Sequence, residues 1–137
     1  MNILIIDGQG GKIGRQLVEL ITQKFPAANI TAVGTNSTAT SAMLKGGADQ
    51  AATGENAIMV AARRADVIIG PLGIVIADSL CGEISPKMAL AVAQSDAKRI
   101  LIPTGKCDNL VAGTTSLSLS LAINDAITIL SDIIKNN

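Results

Sequence analysis

Histidine, tyrosine and tryptophan are absent from this sequence, and Phe25 is its single aromatic side chain. Without imidazole there is no histidine general base, no His-ligated zinc and no Ser-His-Asp triad. Without aromatic platforms there is nothing on which unpaired nucleobases could stack. Charge is scarce as well: Asp, Glu, Lys and Arg make up 16% of the residues, against a usual ~25%. Lysine plus arginine equals aspartate plus glutamate, 11 each, so no net field draws the protein toward nucleic acid or anionic lipid. Cysteine occurs only as Cys81 and Cys107, in neither a CxxC pair nor a disulfide framework, which points to a reduced intracellular setting. The opening Met-Asn-Ile-Leu-Ile-Ile-Asp has no basic leader. Acid and glycine break it before an export core or membrane span could form, so a cytoplasmic protein without membrane attachment is expected.

What is present is aliphatic. Apolar residues make up 48% of the 137, a length that suits one domain spanning 1–137 and burying roughly two-thirds of the surface its unfolded chain exposes. Such an apolar surplus with so little charge to keep protomers apart predicts a homo-oligomer.

Apolar runs punctuated by glycine alternate with segments of helical period, the rhythm of a parallel sheet covered on both faces. Asn2 to Asp7 reads as a buried first strand and Gly11 to Phe25 as an amphipathic helix, with Ile13, Leu17, Leu20 and Ile21 on one stripe. Asn29 to Val33 is a second strand, followed by the hydroxyl-rich Gly34 to Ser37 and a short helix ending at Lys45 before Gly46-Gly47. A short edge strand is expected at Asp49 to Ala52, a helix at Glu55 to Ala65 and a strand at Asp66 to Gly70. Ile74 to Ile84 reads as a short helix or an extended loop. Ser85-Pro86 opens a helix to Gln94, with serine as cap and proline in the first turn. Arg99 to Ile102 forms a fifth strand. The Ser-Leu-Ser-Leu-Ser-Leu alternation from Ser116 gives way to helical spacing at Ile123, Ile127, Leu130 and Ile134, so the last helix is expected to begin near Ser120. The economical fold is α/β: a Rossmann-like doubly wound, mainly parallel sheet of about five strands in order 3-2-1-4-5, with helices on both faces.

Between the first strand and the first helix lies Asp7-Gly8-Gln9-Gly10-Gly11-Lys12-Ile13-Gly14. Its G-x-x-G-x-x-G spacing resembles the loops of extended short-chain dehydrogenases, and departs from G-x-G-x-x-G because Ile13 stands in the last glycine's place. Gly8 would allow the tight turn, Gly10 or Gly11 the approach of a phosphate to the backbone, and Gly14 the contact of helix on strand. The helix terminus adds free amides and partial positive charge, with Lys12 and Arg15 in its first turn. A simpler reading gives these glycines only the duty of a tight turn. Asp7 places a carboxylate where it would repel a pyrophosphate unless it points away or holds a metal or a ligand hydroxyl. After the second strand, Gly34-Thr35-Asn36-Ser37 supplies no acid for a ribose diol and no arginine for a 2′-phosphate, which leaves NAD(P) or another nucleotide open as cofactor. A P-loop fits less well, since Arg15 and Gln16 follow Gly14 where lysine and a hydroxyl would be needed.

In such a sheet the loops at the strands' carboxyl ends converge on one crevice. Position therefore nominates Gly8 to Gly14, Thr35 and Asn36 for ligand binding, and Asp7, Asp78, Glu83 and Lys106 for proton transfer, beside Ser79, Thr104, Cys107, Asp108 and Asn109. Each has a plainer alternative. Asp78-Ser79 would cap or turn the chain, Glu83 would serve the following helix, and a cysteine without histidine is usually inert. Thr53-Gly54-Glu55-Asn56 reads as a cap, and Arg63-Arg64 as complements to a helix dipole.

Taken together, Ile-Asp-Gly-Gln-Gly-Gly-Lys-Ile-Gly from Ile6, Ala-Thr-Gly-Glu-Asn-Ala from Ala52, Gly-Ile-Val-Ile-Ala-Asp-Ser-Leu from Gly73 and Ile-Leu-Ile-Pro from Ile100 span nearly the whole chain. They resemble a family of small bacterial proteins described only as a domain of unknown function. That resemblance implies a bacterial origin and a stand-alone domain, and names no substrate. The residues themselves point to a nucleotide or other phosphate-bearing small molecule at Gly8 to Gly14. The competing expectation is a non-catalytic metabolite sensor or a regulatory or structural oligomer with no nucleotide bound.

Overall fold

The computed structural model describes residues 1–104 and 109–137; Lys106, Cys107 and Asp108, named above as candidates, lie outside the described residues. In chain order the elements are β1 (Asn2–Asp7), α1 (Lys12–Lys24), β2 (Asn29–Gly34), α2 (Ser37–Lys45), β3 (Gln50–Thr53), α3 (Glu55–Arg64), β4 (Val67–Pro71), a 3-10 turn (Leu72–Val75), α4 (Pro86–Gln94), β5 (Lys98–Ile102) and α5 (Leu119–Lys135). The strands form one parallel sheet in the order β3-β2-β1-β4-β5. The fold is thus the doubly wound α/β sheet that the sequence predicts, with β3 confirmed at an edge.

Strand β1 sits at the centre, pairing Ile3 and Ile5 with Ile30 and Ala32 on β2 and with Val67 and Ile69 on β4. Its continuous apolar run is split by the pleat. Ile3 and Ile5 pack into a core with Leu17, Val18 and Ile21 of α1, Met43 of α2 and Ile123 and Leu130 of α5. Leu4 and Ile6 face the opposite core, with Ile58 of α3 and Met88 and Val92 of α4. Both faces of the strand are therefore buried, which is why it shows no polar alternation.

The helix starts follow local chemistry. Asn36 caps α2 by accepting from the Ala39 amide at 2.8 Å. Ser85 caps α4, accepting from Met88 at 3.2 Å, with Pro86 in the first turn. Its hydroxyl also donates to Glu55 Oε2 at 2.6 Å and so ties the starts of α3 and α4 together. Ser118 caps α5 through the Leu121 amide. Helices α1 and α3 are the exceptions: their cap residues are Gly11, with φ 73°, and Gly54, with φ 101°, and neither has a side chain to offer.

The apolar start of the stretch after β4 takes the short helical form that one of the two sequence readings expects, as the 3-10 turn Leu72–Val75, and the remainder fits neither. Beyond the 3-10 turn, Asp78, Leu80 and Cys81 all have positive φ (66°, 54° and 56°), followed by Gly82 at 87°. This compact left-handed turn is held by the Asp78 amide on Ile84 O at 2.7 Å and by the Ser79 hydroxyl on Gly73 O. Left-handed backbone at Leu and Cys is disfavoured locally, so no propensity rule anticipates it.

Truncating the central strand is costly where truncating the surface is not. Ile5→Ala, at a fully buried position, is expected to lose about 2–5 kcal/mol in urea denaturation. Leu121→Ala, on the exposed start of α5, is expected to stay within about 0.5 kcal/mol.

Candidate functional site

The loop from β1 to α1 is organised by Asp7. Its side chain is buried, and its carboxylate accepts from the Gly8 amide at 2.8 Å and from the Gly14 amide at 2.7 Å. Gly14 is the third residue of α1, so Asp7 supplies the cap that Gly11 cannot. The carboxylate that the sequence places at the mouth of the loop is turned inward, bonded along the loop instead of facing a ligand. Burial pushes the Asp7 carboxyl above its ordinary value of 3.8, the Gly14 and Gly8 amides pull against that shift, and the nearby charge of Glu83 adds to it.

The glycines differ in what they do. A Cβ on Gly14 would lie 2.8 Å from Asp7 Cβ and 2.5 Å from Met43 Sδ, so side-chain-free contact between α1 and β1 is required there. Gly11 combines its left-handed backbone with an Ala39 Cα only 2.7 Å from where a Cβ would stand. Its amide closes the turn onto Gly8 O at 2.9 Å, with Gln9 at φ 49° inside it. Gly10 has neither reason. Nothing stands within 4 Å of its would-be Cβ, and its φ is not positive. Among the described residues, neither the Gly10 nor the Lys12 amide donates to a protein acceptor.

A second polar cluster lies on the β2 side of this loop. Glu83 Oε1 accepts from Thr35 Oγ1 at 2.7 Å and from Asn36 Nδ2 at 2.6 Å, and the Gln9 amide donates to both carboxylate oxygens at 3.1 and 3.2 Å. Asn36 Nδ2 also donates to Gln9 O at 3.0 Å. Partial burial works to raise the Glu83 pKa, and the donors from Thr35, Asn36 and Gln9 outweigh it, leaving the group below its ordinary 4.5. Glu83 thus neither caps α4 nor stands free; it joins three loops. Gln9 Nε2 lies 3.7 Å from Cys81 Sγ.

The β1–β4–β5 side of the loop is open. A cleft of about 470 Å³ is lined there by Asp7 to Ile13, by Pro71 and Leu80, by Pro103 and Thr104 beyond β5, and by Leu117 and Leu119 at the start of α5. This is the crevice at the carboxyl ends of the strands where the chain switches direction. Of the nominated residues, Asp7, Gly8 to Ile13 and Thr104 line it. Gly14 lies beneath it, Thr35, Asn36 and Glu83 lie outside its lining, and Asp78 is exposed elsewhere with its side chain unbonded among the described residues. Leu80, Leu117 and Leu119 were not nominated. The last two were legible in the Ser-Leu alternation, which sets leucines on both sides of the Ser118 cap; Leu80 depends on the left-handed turn. Among the described residues no group of three or more Cys, Asp or Glu side chains is placed to hold a metal, and no helix is long and apolar enough to cross a membrane.

These features define a Rossmann-like α/β protein with an apolar-walled crevice beside its first glycine loop. The chain belongs to the family described as a domain of unknown function (DUF3842), whose model matches residues 2–135. No curated protein matches it. Among solved structures, it is similar to the dodecameric FMN-dependent Ubix-like decarboxylase from Escherichia coli O157:H7. The TM-score is 0.52 at 18% identity, covering 96% of this chain and 76% of that one. At that identity the likeness speaks for the fold.

Two outcomes test the loop. Gly11→Ala is expected to cost at least about 1–2 kcal/mol from its left-handed backbone alone, whereas Gly10→Ala should stay within about 0.5 kcal/mol, both by urea denaturation. The pH dependence has two opposite contributions. Because Glu83 is lowered on folding, its contribution is complete above 4.5 and lost as pH falls through its folded value. Because Asp7 is raised, its ionisation penalises the fold as pH rises from 3.8 through its folded value. The deficit of Glu83→Gln relative to wild type should therefore shrink between about pH 7 and about pH 3. Asp7 in that variant should titrate lower, as read by carboxyl carbon chemical shifts.

Proposed function

We propose that this protein binds a small phosphate-bearing ligand of mononucleotide size in the cleft beside Gly8 to Ile13, with flavin mononucleotide as the representative compound. The carrying observation is Gly10: a glycine without positive φ or neighbouring atoms, at the crest of the loop, beside an amide pair at Gly10 and Lys12 with no protein acceptor among the described residues. Fold requirements account for Gly8, Gly11 and Gly14; a ligand drawn close to the backbone accounts for Gly10. The phosphate rests on these amides and on the Lys12 ammonium at the start of α1. The apolar body of the ligand lies against Pro71, Leu80, Pro103, Leu117 and Leu119. The cleft volume falls within the usual range of about 300–1,000 Å³ for small-molecule sites. The FMN dependence of the structurally similar decarboxylase supports the choice of compound.

Within the described lining, Asp7 and Lys12 are the ionisable side chains, and Asp7 is committed to the loop. Chemistry in the cleft would thus come from the bound group, with the protein supplying position and an apolar wall. A non-catalytic metabolite sensor within a homo-oligomer is the second reading. It is favoured by the half-exposed Leu117, Leu119 and Leu121 beside the cleft and by the dodecameric state of the similar decarboxylase.

Thermal shift decides between ligand and bare turn. Saturating FMN at about a hundred times its Kd should add about 2.7 kcal/mol of stability and raise Tm. Gly10→Leu, which fills the open space over the loop, should fold normally and lose that rise. A Tm unmoved by FMN, nicotinamide dinucleotides, ATP and inorganic phosphate alike would remove the phosphate-ligand reading.

A further inference from the structure

In dinucleotide-binding sheets the ribose next to the pyrophosphate settles over the carboxyl end of the second strand, on an acid about 20 residues past the glycines. Here β2 ends at Gly34 and is followed by Thr35 and Asn36, neither of them acidic. The acid arrives from another part of the chain: Glu83, 48 residues beyond Thr35 in sequence, places its carboxylate on both side chains.

Such a carboxylate could receive a ribose or exclude one, and the geometry favours exclusion. Its Oε1 already accepts from Thr35 and Asn36, and the Gln9 amide spans both oxygens. Asn36 cannot swing aside cheaply, because its Oδ1 caps α2 on the Ala39 amide while its Nδ2 holds Glu83 and Gln9 O. No gap separates the acid from the loop: a Cβ on Gly8 would lie 3.3 Å from Glu83 Oε1 and 2.7 Å from Thr35 Oγ1. The open cleft lies on the other side of the loop and includes none of Glu83, Thr35 and Asn36 in its lining. A second phosphate entering near Glu83 would also meet its negative charge.

We propose that Glu83 is the specificity-determining residue of the cleft: bonded to Thr35, Asn36 and Gln9 over the end of β2, it confines the ligand to the β1–β4–β5 side and excludes dinucleotides. This rests on the phosphate-ligand reading. Glu83 acts by occupying space and fixing the Gln9 turn.

FMN and FAD make the discriminating pair, because they share the flavin body and differ by the adenylate that would have to pass over β2. Both are titrated by flavin fluorescence, and NAD by calorimetry, against the whole wild-type chain, Glu83→Ala and Thr35→Val. Circular dichroism confirms that each variant is folded. Wild type should favour FMN over FAD by about tenfold or more, roughly 1.4 kcal/mol. Glu83→Ala should reduce that ratio to near unity. Thr35→Val, which loosens the carboxylate without removing it, should move the ratio the same way by less, and it carries the test if Glu83→Ala does not fold. Equal affinity of wild type for FMN and FAD, an unchanged ratio in both variants, or FAD or NAD binding that is lost when Glu83 is removed would each overturn the proposal. If no flavin binds wild type, the choice of flavin mononucleotide fails separately, and the phosphate-ligand reading falls only with the whole thermal-shift panel. The variants still decide the role of Glu83: FAD or NAD binding gained supports the barrier, and no gain overturns it.

Discussion

A carboxylate buried at the end of a central strand is expensive unless its oxygens meet donors, and in this protein the donors are the amides of the loop that follows. Asp7 is 5% exposed and bonds to Gly8 and Gly14, spanning the turn from strand to helix. Everything near the crevice depends on that span. It caps α1 in place of a side chain that Gly11 lacks, and it draws α1 so close to β1 that position 14 cannot carry a Cβ. It also takes up amides that a terminal anion would otherwise use, leaving the crest at Gly10 and Lys12. The helix terminus remains a favourable end for negative charge, displaced outward by one carboxylate.

Glu83 extends this arrangement across the loop. The two acids are coupled, since the charge of Glu83 helps to raise Asp7. They are nevertheless pushed in opposite directions, because burial prevails at Asp7, while at Glu83 burial is outweighed by three sets of hydrogen bonds acting together. One acid organises the loop from below and the other anchors its flank to the end of β2. Between them the crevice becomes one-sided: closed and polar toward β2, open and apolar toward β4 and β5. The left-handed turn from Asp78 to Gly82 belongs to the same design, as it leads directly into Glu83 and sets Leu80 into the cleft wall.

Much of this was legible in residue order. The strand order, the central place of β1, the caps at Ser85 and the helical period of the last segment all follow from local rules, and the structure repeats them within a residue or two. The roles of the acids were not legible in the same way. For Asp7 the sequence leaves open whether the carboxylate points away from a ligand or meets one, because spacing along the chain says nothing of where a side chain turns. The residues that follow β2 in sequence hold no acid, and the one that sits over them, Glu83, comes from beyond β4, where no spacing rule points.

The division has a physical cause. Periodicity, capping and glycine placement are properties of neighbours in the chain, so the sequence by itself determined a mainly parallel α/β sheet with a glycine-rich turn at its first strand. Which amides of that turn stay free, which side of the crevice is closed and which leucines line it are settled by contacts between segments such as Gln9 and Glu83, 74 residues apart. Only the tertiary structure, by bringing those segments together and supplying each buried polar group with its partner, decided them.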